Sequence, residues 1–349
     1  MNVNNAQPFE GQEIFIGLDV HKRSWKVTEL YGGNCTKTYS MFPSPADLVK
    51  RLHHEYPGAK YNSVYEAGFC GFWIHRELSK LGVNNIVINP ADVPTSQKER
   101  LYKNDVRDSK KLARELLHRS LKPIYIPDED NLKLRDLVRR ETQVTNNIVR
   151  CKNRIKGYLN LRGKKLKTWG ANYLKQLKEM SQKSYEHTLF FHLDELLKQR
   201  TQKITIRRTE KLLIRQLGKE KLLKLLLTIP GIGFRTGILI IAEIWDIKRF
   251  KNRDSLCAYA GFAPRLVGSG EKESTRGSGK RKHKELQSKL IEAAWRAIGV
   301  DVELRAKYCQ LTSKGNSQRA ITVVAKKLLL RVRAVWLYER EYKLNRIQK

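Results

Sequence analysis

Residues 13–20 read Glu-Ile-Phe-Ile-Gly-Leu-Asp-Val, and this octapeptide decides how the first third of the chain is read. It is apolar, alternating and rich in β-formers, so it predicts a buried strand with one carboxylate, Asp19, near its end. Outward from it, SWKVTELY (24–31) and CTKTYSMF (35–42) flank a Gly-Gly turn, which predicts a three-stranded meander. PADLVKRLHHEY (45–56) has helical spacing, and NSVYEAG (62–68) is another short strand. GFWIHRELSKLG (71–82) predicts a helix stopped by glycine, NNIVINP (84–90) a strand stopped by Pro90, and NDVRDSKKLARELLHRS (104–120) a helix.

Three strands, then helix, strand, helix, strand, helix is the order of a ribonuclease-H-like, RuvC-like α/β domain, placed at residues 13–125. The chain then changes character. Over 131–220, Leu137, Val144, Cys151 and Tyr158 recur every seven residues, with Leu134, Ile148 and Ile155 between them. Such a coiled-coil-like helix serves equally as part of a bundle core or as a dimerisation arm. Residues 221–345 form a third, mostly helical unit. It opens with LLLTIPGIGFRTGILIIAEI (225–244), two apolar helices about a Pro-Gly-Ile-Gly turn of helix-hairpin-helix type. The fold class expected is therefore α/β plus α.

Lys and Arg number 69 against 35 Asp and Glu, a net charge of +34 spread over 349 residues. A folded chain this basic repels itself unless a polyanion offsets it, and nucleic acid is the commonest one. Hydrophobic content of 40% excludes a disordered basic tail, leaving a non-catalytic basic nucleic-acid binder as the bland alternative. Five scattered cysteines without a CxxC pair, and histidines without HExxH spacing, argue against a disulfide framework or a zinc site. The first residues lack a secretory pattern and the apolar runs are too short to span a bilayer, so a cytoplasmic, nucleoid-associated protein is expected.

The carboxylates come next. Asp19 and Glu66 each end an apolar strand, and Asp105 and Asp108 stand three apart at a helix start, on one side of it. A carboxylate there is costly unless positive charge offsets it. Mg2+ prefers oxygen ligands, so four converging carboxylates suit a metal site for phosphodiester chemistry. Asp105 and Asp108 alone would be read as helix caps paired with Lys103, Arg107 or Lys110; with Asp19 and Glu66 the metal reading is the better one. Gly231 and Gly233 let backbone N–H groups approach phosphates, although an ordinary helix turn uses the same residues. Ser269 lies between two glycines in a basic loop with Arg265, Lys272, Arg276, Lys280, Arg281, Lys282 and Lys284. It is a candidate nucleophile in a phosphate-binding surround. Ser255, Ser274 and Ser278 compete with it, and a flexible turn explains the pattern equally.

These motifs, taken in order, resemble one family. GLDVHK (17–22), VYEAG (64–68), VINP (87–90) and KNDVRDSKKLA (103–113) resemble the DEDD domain of the insertion-sequence transposases numbered one-ten. That family includes the pilin-gene-inverting recombinase and the bridge-RNA-guided recombinases. IPGIG (229–233) and YAGFAPRLVGSGEK (259–272) resemble its C-terminal transposase domain. The resemblance implies strand exchange between donor and target DNA, directed by a guide (bridge) RNA. It implies that Asp19, Glu66, Asp105 and Asp108 hold Mg2+ and that Ser269 forms a phosphoserine link to DNA. It further implies homodimers joining into a tetramer, with sites composed from two subunits. Two departures stand out. Ser109 replaces the usual alanine, and Lys282-His283 replaces a Gly-Asn pair after the serine loop. The alternative enzyme is a RuvC-like Holliday-junction resolvase.

The charge balance yields a first prediction. If six to ten phosphates are neutralised, affinity for duplex DNA falls by about 10³-fold or more between 50 and 200 mM salt. A flat dependence in a salt titration of binding would assign the basic surplus to something other than nucleic acid.

Overall fold

The computed structural model describes residues 8–93, 105–164, 172–183, 187–269, 272–278, 283–313 and 315–344, with backbone only at 35–36, 105–106, 181–183, 264–269 and 272–278. The chain divides into two compact units, 1–126 and 127–349.

The first unit holds a five-stranded sheet. Its strands are β1 (Glu13–Val20), β2 (Trp25–Tyr31), β3 (Asn34–Met41), β4 (Lys60–Glu66) and β5 (Asn84–Ile88), in the order β3-β2-β1-β4-β5. The first three strands run antiparallel, and β4 and β5 join parallel to β1. Gly32 and Gly33, at φ +57° and +82°, supply the left-handed backbone that closes the β2–β3 turn. Parallel strands need crossover connections, here α1 (Pro45–Glu55) and α2 (Trp73–Lys80). Ser44 starts α1 by accepting from the amide of Asp47 at 3.2 Å. Ile14, Ile16 and Leu18 turn one face of β1 into a core with Trp25, Val27, Leu48, Leu52, Tyr65 and Leu78.

The other face of β1 takes α3 (Asp105–Leu117) at a backbone-to-backbone contact. A Cβ built on Gly17 would lie 2.0 Å from the Ser109 carbonyl oxygen and 2.6 Å from the Ala113 nitrogen. Only glycine fits there. Thr28, the cross-strand partner of Gly17, bonds the Ser109 hydroxyl at 2.9 Å inside the core and Thr38 at 3.0 Å. Ser109 thus supplies a hydroxyl where the resemblance expects alanine, and the sheet uses it.

The second unit comprises α4 (Glu129–Asn160), α5 (Tyr173–Lys183), α6 (His187–Gln216), α7 (Glu220–Leu227), α8 (Phe234–Ile244), α9 (Arg253–Ala260), a hairpin of β6 (Pro264–Ser269) and β7 (Lys272–Ser278), then α10 (Lys284–Val300), α11 (Val302–Thr312) and α12 (Ser317–Tyr338). Sequence reading expects a loop where β6 and β7 stand. The sevenfold pattern of α4 is used inside this chain. Cys151, Ile155 and Leu159 pack against Tyr173, Leu177, Leu189, Leu193 and Leu196, whereas Leu134, Val138 and Ile214 join the core of the C-terminal helices. The outward apolar residues on these long helices are Val149, Phe190, Phe191, Ile204 and Leu212. No helix among the described residues is long and apolar enough to cross a membrane.

Arg235 is the polar hub of this unit. Its guanidinium meets Glu141 of α4 at 2.8 Å, Glu210 of α6 at 3.2 Å and Glu285 of α10 at 3.2 Å. Lys203 and Arg207 also reach Glu141, at 3.5 and 3.2 Å. Burial pushes the Glu210 carboxyl up to about 7, against the pull of Arg235.

Two predictions follow from these contacts. Gly17→Ala forces α3 off β1 and costs about 1–3 kcal/mol or more, read by denaturant unfolding and by faster hydrogen exchange in β1 and β2. For Glu210, the folded pKa lies above the unfolded value, so the folded state binds the extra proton between about pH 4.5 and 7 and stability declines as pH rises through that window. The decline amounts to about 3 kcal/mol at most. Glu210→Gln removes that component, so unfolding at pH 5 and pH 8 shows a smaller pH difference in the variant than in the wild type.

Candidate active site

The carboxyl ends of β1 and β4 are neighbours. Their parallel register pairs Leu18 with Tyr65, which sets Asp19 and Glu66 side by side at the next step. Helix α3 runs antiparallel to β1: Ser109 and Ala113 lie against Gly17, and Arg119, just past the helix, reaches Glu13 at the start of β1 at 3.9 Å. The N-terminus of α3 therefore lies at the sheet end that carries Asp19 and Glu66. Asp108 stands there, immediately before the docked Ser109, and Asp105 begins the helix with its side chain outside the described part. Asp19 is partly exposed and accepts from Nε2 of His21 at 3.1 Å. Among the described residues no three carboxylate, His or Cys groups close into a metal cage. Asp19, Glu66 and Asp108 put oxygen donors at one end of the sheet, the ligand type that a hard, partly hydrated cation such as Mg2+ takes.

Side chains that sequence reading passed over rim this end. Lys22 lies 5.9 Å from the ring of Phe69, which is 61% exposed, and Trp73, 45% exposed, leans on Trp25 at 6.3 Å. Exposed aromatics interleaved with cations are the surface that unpaired bases stack on. In FCGFWIHR (69–76) the rings stand at the i, i+3, i+4 spacing of an ordinary helix face, so nothing local marked two of them as exposed.

In the second unit, Ser269 ends β6 and pairs with Lys272 beside the hairpin turn. The side chains of Ser269, Arg265, Lys272 and Arg276 lie outside the described part, as do Lys280, Arg281 and Lys282 altogether. Lys284 is exposed in the first turn of α10. The base of this segment is well defined. Gly261 ends α9 at φ +84°, and its carbonyl accepts from the buried amide of Gln287 at 2.6 Å. His283 donates its backbone N–H to the Tyr259 carbonyl at 3.2 Å, and its Nδ1 accepts from the Leu286 amide at 3.1 Å, capping α10. An asparagine side chain can accept from the same backbone amide, so the cap at this position is open to either residue.

With Nδ1 accepting, Nε2 of His283 donates to Glu243 at 3.1 Å. Glu243 is 1% exposed and also meets Arg135 at 3.3 Å and Arg139 at 3.2 Å. Burial raises its pKa, yet the His283 bond and the two guanidiniums outweigh that and hold it at about 2. Its backbone oxygen accepts from Tyr259 at 3.0 Å, Arg249 at 2.8 Å and Arg135 at 2.9 Å.

The two turn glycines separate in role. A Cβ on Gly231, at φ +84°, would strike the Ala293 carbonyl oxygen at 2.1 Å, so packing against α10 requires that glycine. Gly233 is exposed at the N-cap of α8 with nothing within 4 Å of a built Cβ. Open backbone toward a phosphate is available at Gly233.

Comparison with known proteins matches both units to one family. A DEDD-type transposase profile matches residues 16–162, and a second, described as Transposase IS116/IS110/IS902 family, matches residues 223–309. The Sinorhizobium fredii protein y4rJ, described as a transposase, is 27% identical over 93% of this chain and 91% of its own. The transposase for insertion sequence element IS1533 of Leptospira borgpetersenii is 24% identical over 92% of this chain and 95% of its own. With a DEDD profile over the carboxylate-bearing sheet and its companion profile over the helical unit, the chain belongs to the IS116/IS110/IS902 family of insertion-sequence transposases.

Proposed function

We propose that this transposase moves its element by cutting and rejoining DNA through a phosphoserine intermediate. In this reading a RuvC-like DEDD set of Asp19, Glu66, Asp105 and Asp108 acts with Mg2+, and a bridge RNA selects donor and target. The observation that carries the first half is the neighbouring of Asp19 and Glu66 at the sheet end where α3 begins. Bound Mg2+ supplies Lewis-acid polarisation of a phosphate. The chain's own groups do the rest. Asp19, held by His21, stays oriented as an oxygen donor, and the Gly17 contact together with Thr28 holds Asp108 in place through Ser109. Lys22, Phe69 and Trp73 support binding of the strand beside them.

Ser269 is the proposed nucleophile. Its hydroxyl oxygen attacks phosphorus as the bond to one sugar oxygen breaks; the hydroxyl proton is lost and the departing sugar oxygen is protonated. One phosphoester replaces another, so rejoining to a second strand needs no outside energy. Hydrolysis by water would discard that energy, which separates this reading from a junction resolvase. Gly233 and the cations Arg265, Lys272, Arg276, Lys280, Arg281, Lys282 and Lys284 belong to the DNA- and RNA-binding surface in the same proposal. The subunits form homodimers that join as a tetramer. Because Cys151, Ile155 and Leu159 are covered within the chain, such an assembly uses the outward residues Val149, Phe190 and Phe191.

Two outcomes are expected. Asp19→Asn abolishes strand cleavage while DNA affinity changes by less than about threefold, since one carboxylate among many basic contacts contributes little to binding; cleavage that persists in EDTA defeats the metal site. Ser269→Ala gives neither a protease-sensitive protein–DNA adduct on a denaturing gel nor recombinant product. Recombination by Ser269→Ala, or an adduct mapped to Ser255, Ser274 or Ser278, defeats the nucleophile assignment, and cleavage by Ser269→Ala without an adduct identifies a metal-dependent nuclease.

A further inference from the structure

We infer that Glu243 and His283 are positioning residues for the β6–β7 hairpin, a role that rests on reading Ser269 as the nucleophile. An isolated two-stranded hairpin is marginal in water, so its aim must come from its ends. Both ends of this one are tied to the same helical body. Where the chain leaves α9, Phe262 donates its N–H to Cys257 at 2.7 Å, and Gln287 of α10 bonds the Gly261 carbonyl. Where it returns, His283 bonds the Tyr259 carbonyl, and its ring lies 5.9 Å from that of Tyr259. The segment that leads into β6 and the segment that opens α10 are thus joined to each other through Tyr259, Gln287 and His283.

The His283 ring has both nitrogens engaged. Nδ1 accepts from Leu286 and Nε2 donates to Glu243, which fixes the tautomer and the ring plane together. Glu243 in turn is fixed by Arg135 and Arg139 of α4, while its own backbone oxygen holds Tyr259. The result runs from α4 through Glu243 to His283, the first described residue after β7. A nucleophile displaced by about 1 Å loses on the order of 10²-fold in rate, so rigidity at this base is the property a covalent step demands. Neither Glu243 nor His283 is needed for contact with DNA in this arrangement, because Glu243 is buried and the imidazole is turned inward upon it.

The test uses the full chain with DNA carrying the element's ends and the element's RNA. Single-turnover adduct formation is compared with DNA affinity for Glu243→Gln, His283→Ala and His283→Asn, with Ser269→Ala as control. Glu243→Gln and His283→Ala are expected to slow adduct formation by about 10- to 100-fold with affinity nearly unchanged. His283→Asn keeps an acceptor for the Leu286 amide but cannot reach Glu243, so its adduct formation stays about as slow as in Glu243→Gln. Hydrogen exchange across residues 264–278 accelerates in all three variants. Wild-type adduct rates in Glu243→Gln and His283→Ala, or a wild-type rate in His283→Asn, overturn the proposal. So does a parallel fall of rate, affinity and melting temperature, which marks a merely structural pair. If Ser269→Ala still forms the adduct, the nucleophile reading has failed, and hydrogen exchange alone decides whether the pair orders the hairpin.

Discussion

Everything in the first unit depends on one close contact, the α3 backbone lying directly on Gly17 of β1. No side chain separates helix from strand there, so the distance is set by atoms that cannot rotate away. Thr28 and Ser109 add a buried hydroxyl bond across the same contact. The consequence is geometric. Asp19 lies two residues past Gly17 along β1, and Asp108 one residue before Ser109 on α3, so the contact fixes their mutual placement. Glu66 is fixed independently by the parallel ladder between β1 and β4. The cation site proposed for them would need this rigidity, because repulsion among carboxylates would otherwise spread them apart.

In the second unit the constraint is electrostatic. A chain with a surplus of 34 positive charges buries three glutamates against cations: Glu141 against Lys203, Arg207 and Arg235, Glu210 against Arg235, and Glu243 against Arg135 and Arg139. The partners lie on different helices, so each carboxylate joins elements that apolar packing alone would leave free to slide. Breaking one member leaves uncompensated buried charge, which costs more than the intact pair contributes. The two acids respond oppositely to this setting. Glu210 meets Arg235 at one oxygen while its other is buried with no hydrogen-bond partner among the described residues, and burial dominates. Glu243 has two guanidiniums and an imidazole, and they dominate instead. A buried carboxylate is thus held ionised by the number and geometry of its donors, and burial by itself says little about its charge.

Much of the first unit was legible in the sequence. Strand alternation, glycine turns and Pro90 mark its elements, and the positions of Asp19 and Glu66 at strand ends follow directly from the patterns. Periodicity was informative but ambiguous in α4, since a sevenfold seam looks the same whether its partner is another helix of the chain or another subunit. Here α5 and α6 cover it. Other features were hidden for definite reasons. The strands β6 and β7 are rich in glycine and serine, which read as loop. His21, Thr28 and Ser109 act through contacts that no local spacing encodes. Gly231 and Gly233 look equivalent in a PGIG motif, and only the proximity of α10 separates a packing glycine from an open one.

His283 carries the same lesson to the motif itself. By residue type, histidine for asparagine after the serine segment is a departure from the family pattern. By hydrogen-bond role it is close to none, because Nδ1 accepts the Leu286 amide as an asparagine oxygen would. The substitution also adds what asparagine lacks, a second nitrogen long enough to reach Glu243 while the first remains occupied. The cap and the anchor are then made by one ring, and its plane cannot turn to favour one without straining the other. Asparagine at that position would cap α10 and leave Glu243 to the two arginines alone. One ring thus caps α10 and reaches a carboxylate that α4 also holds, although α4 lies more than a hundred positions earlier in the chain.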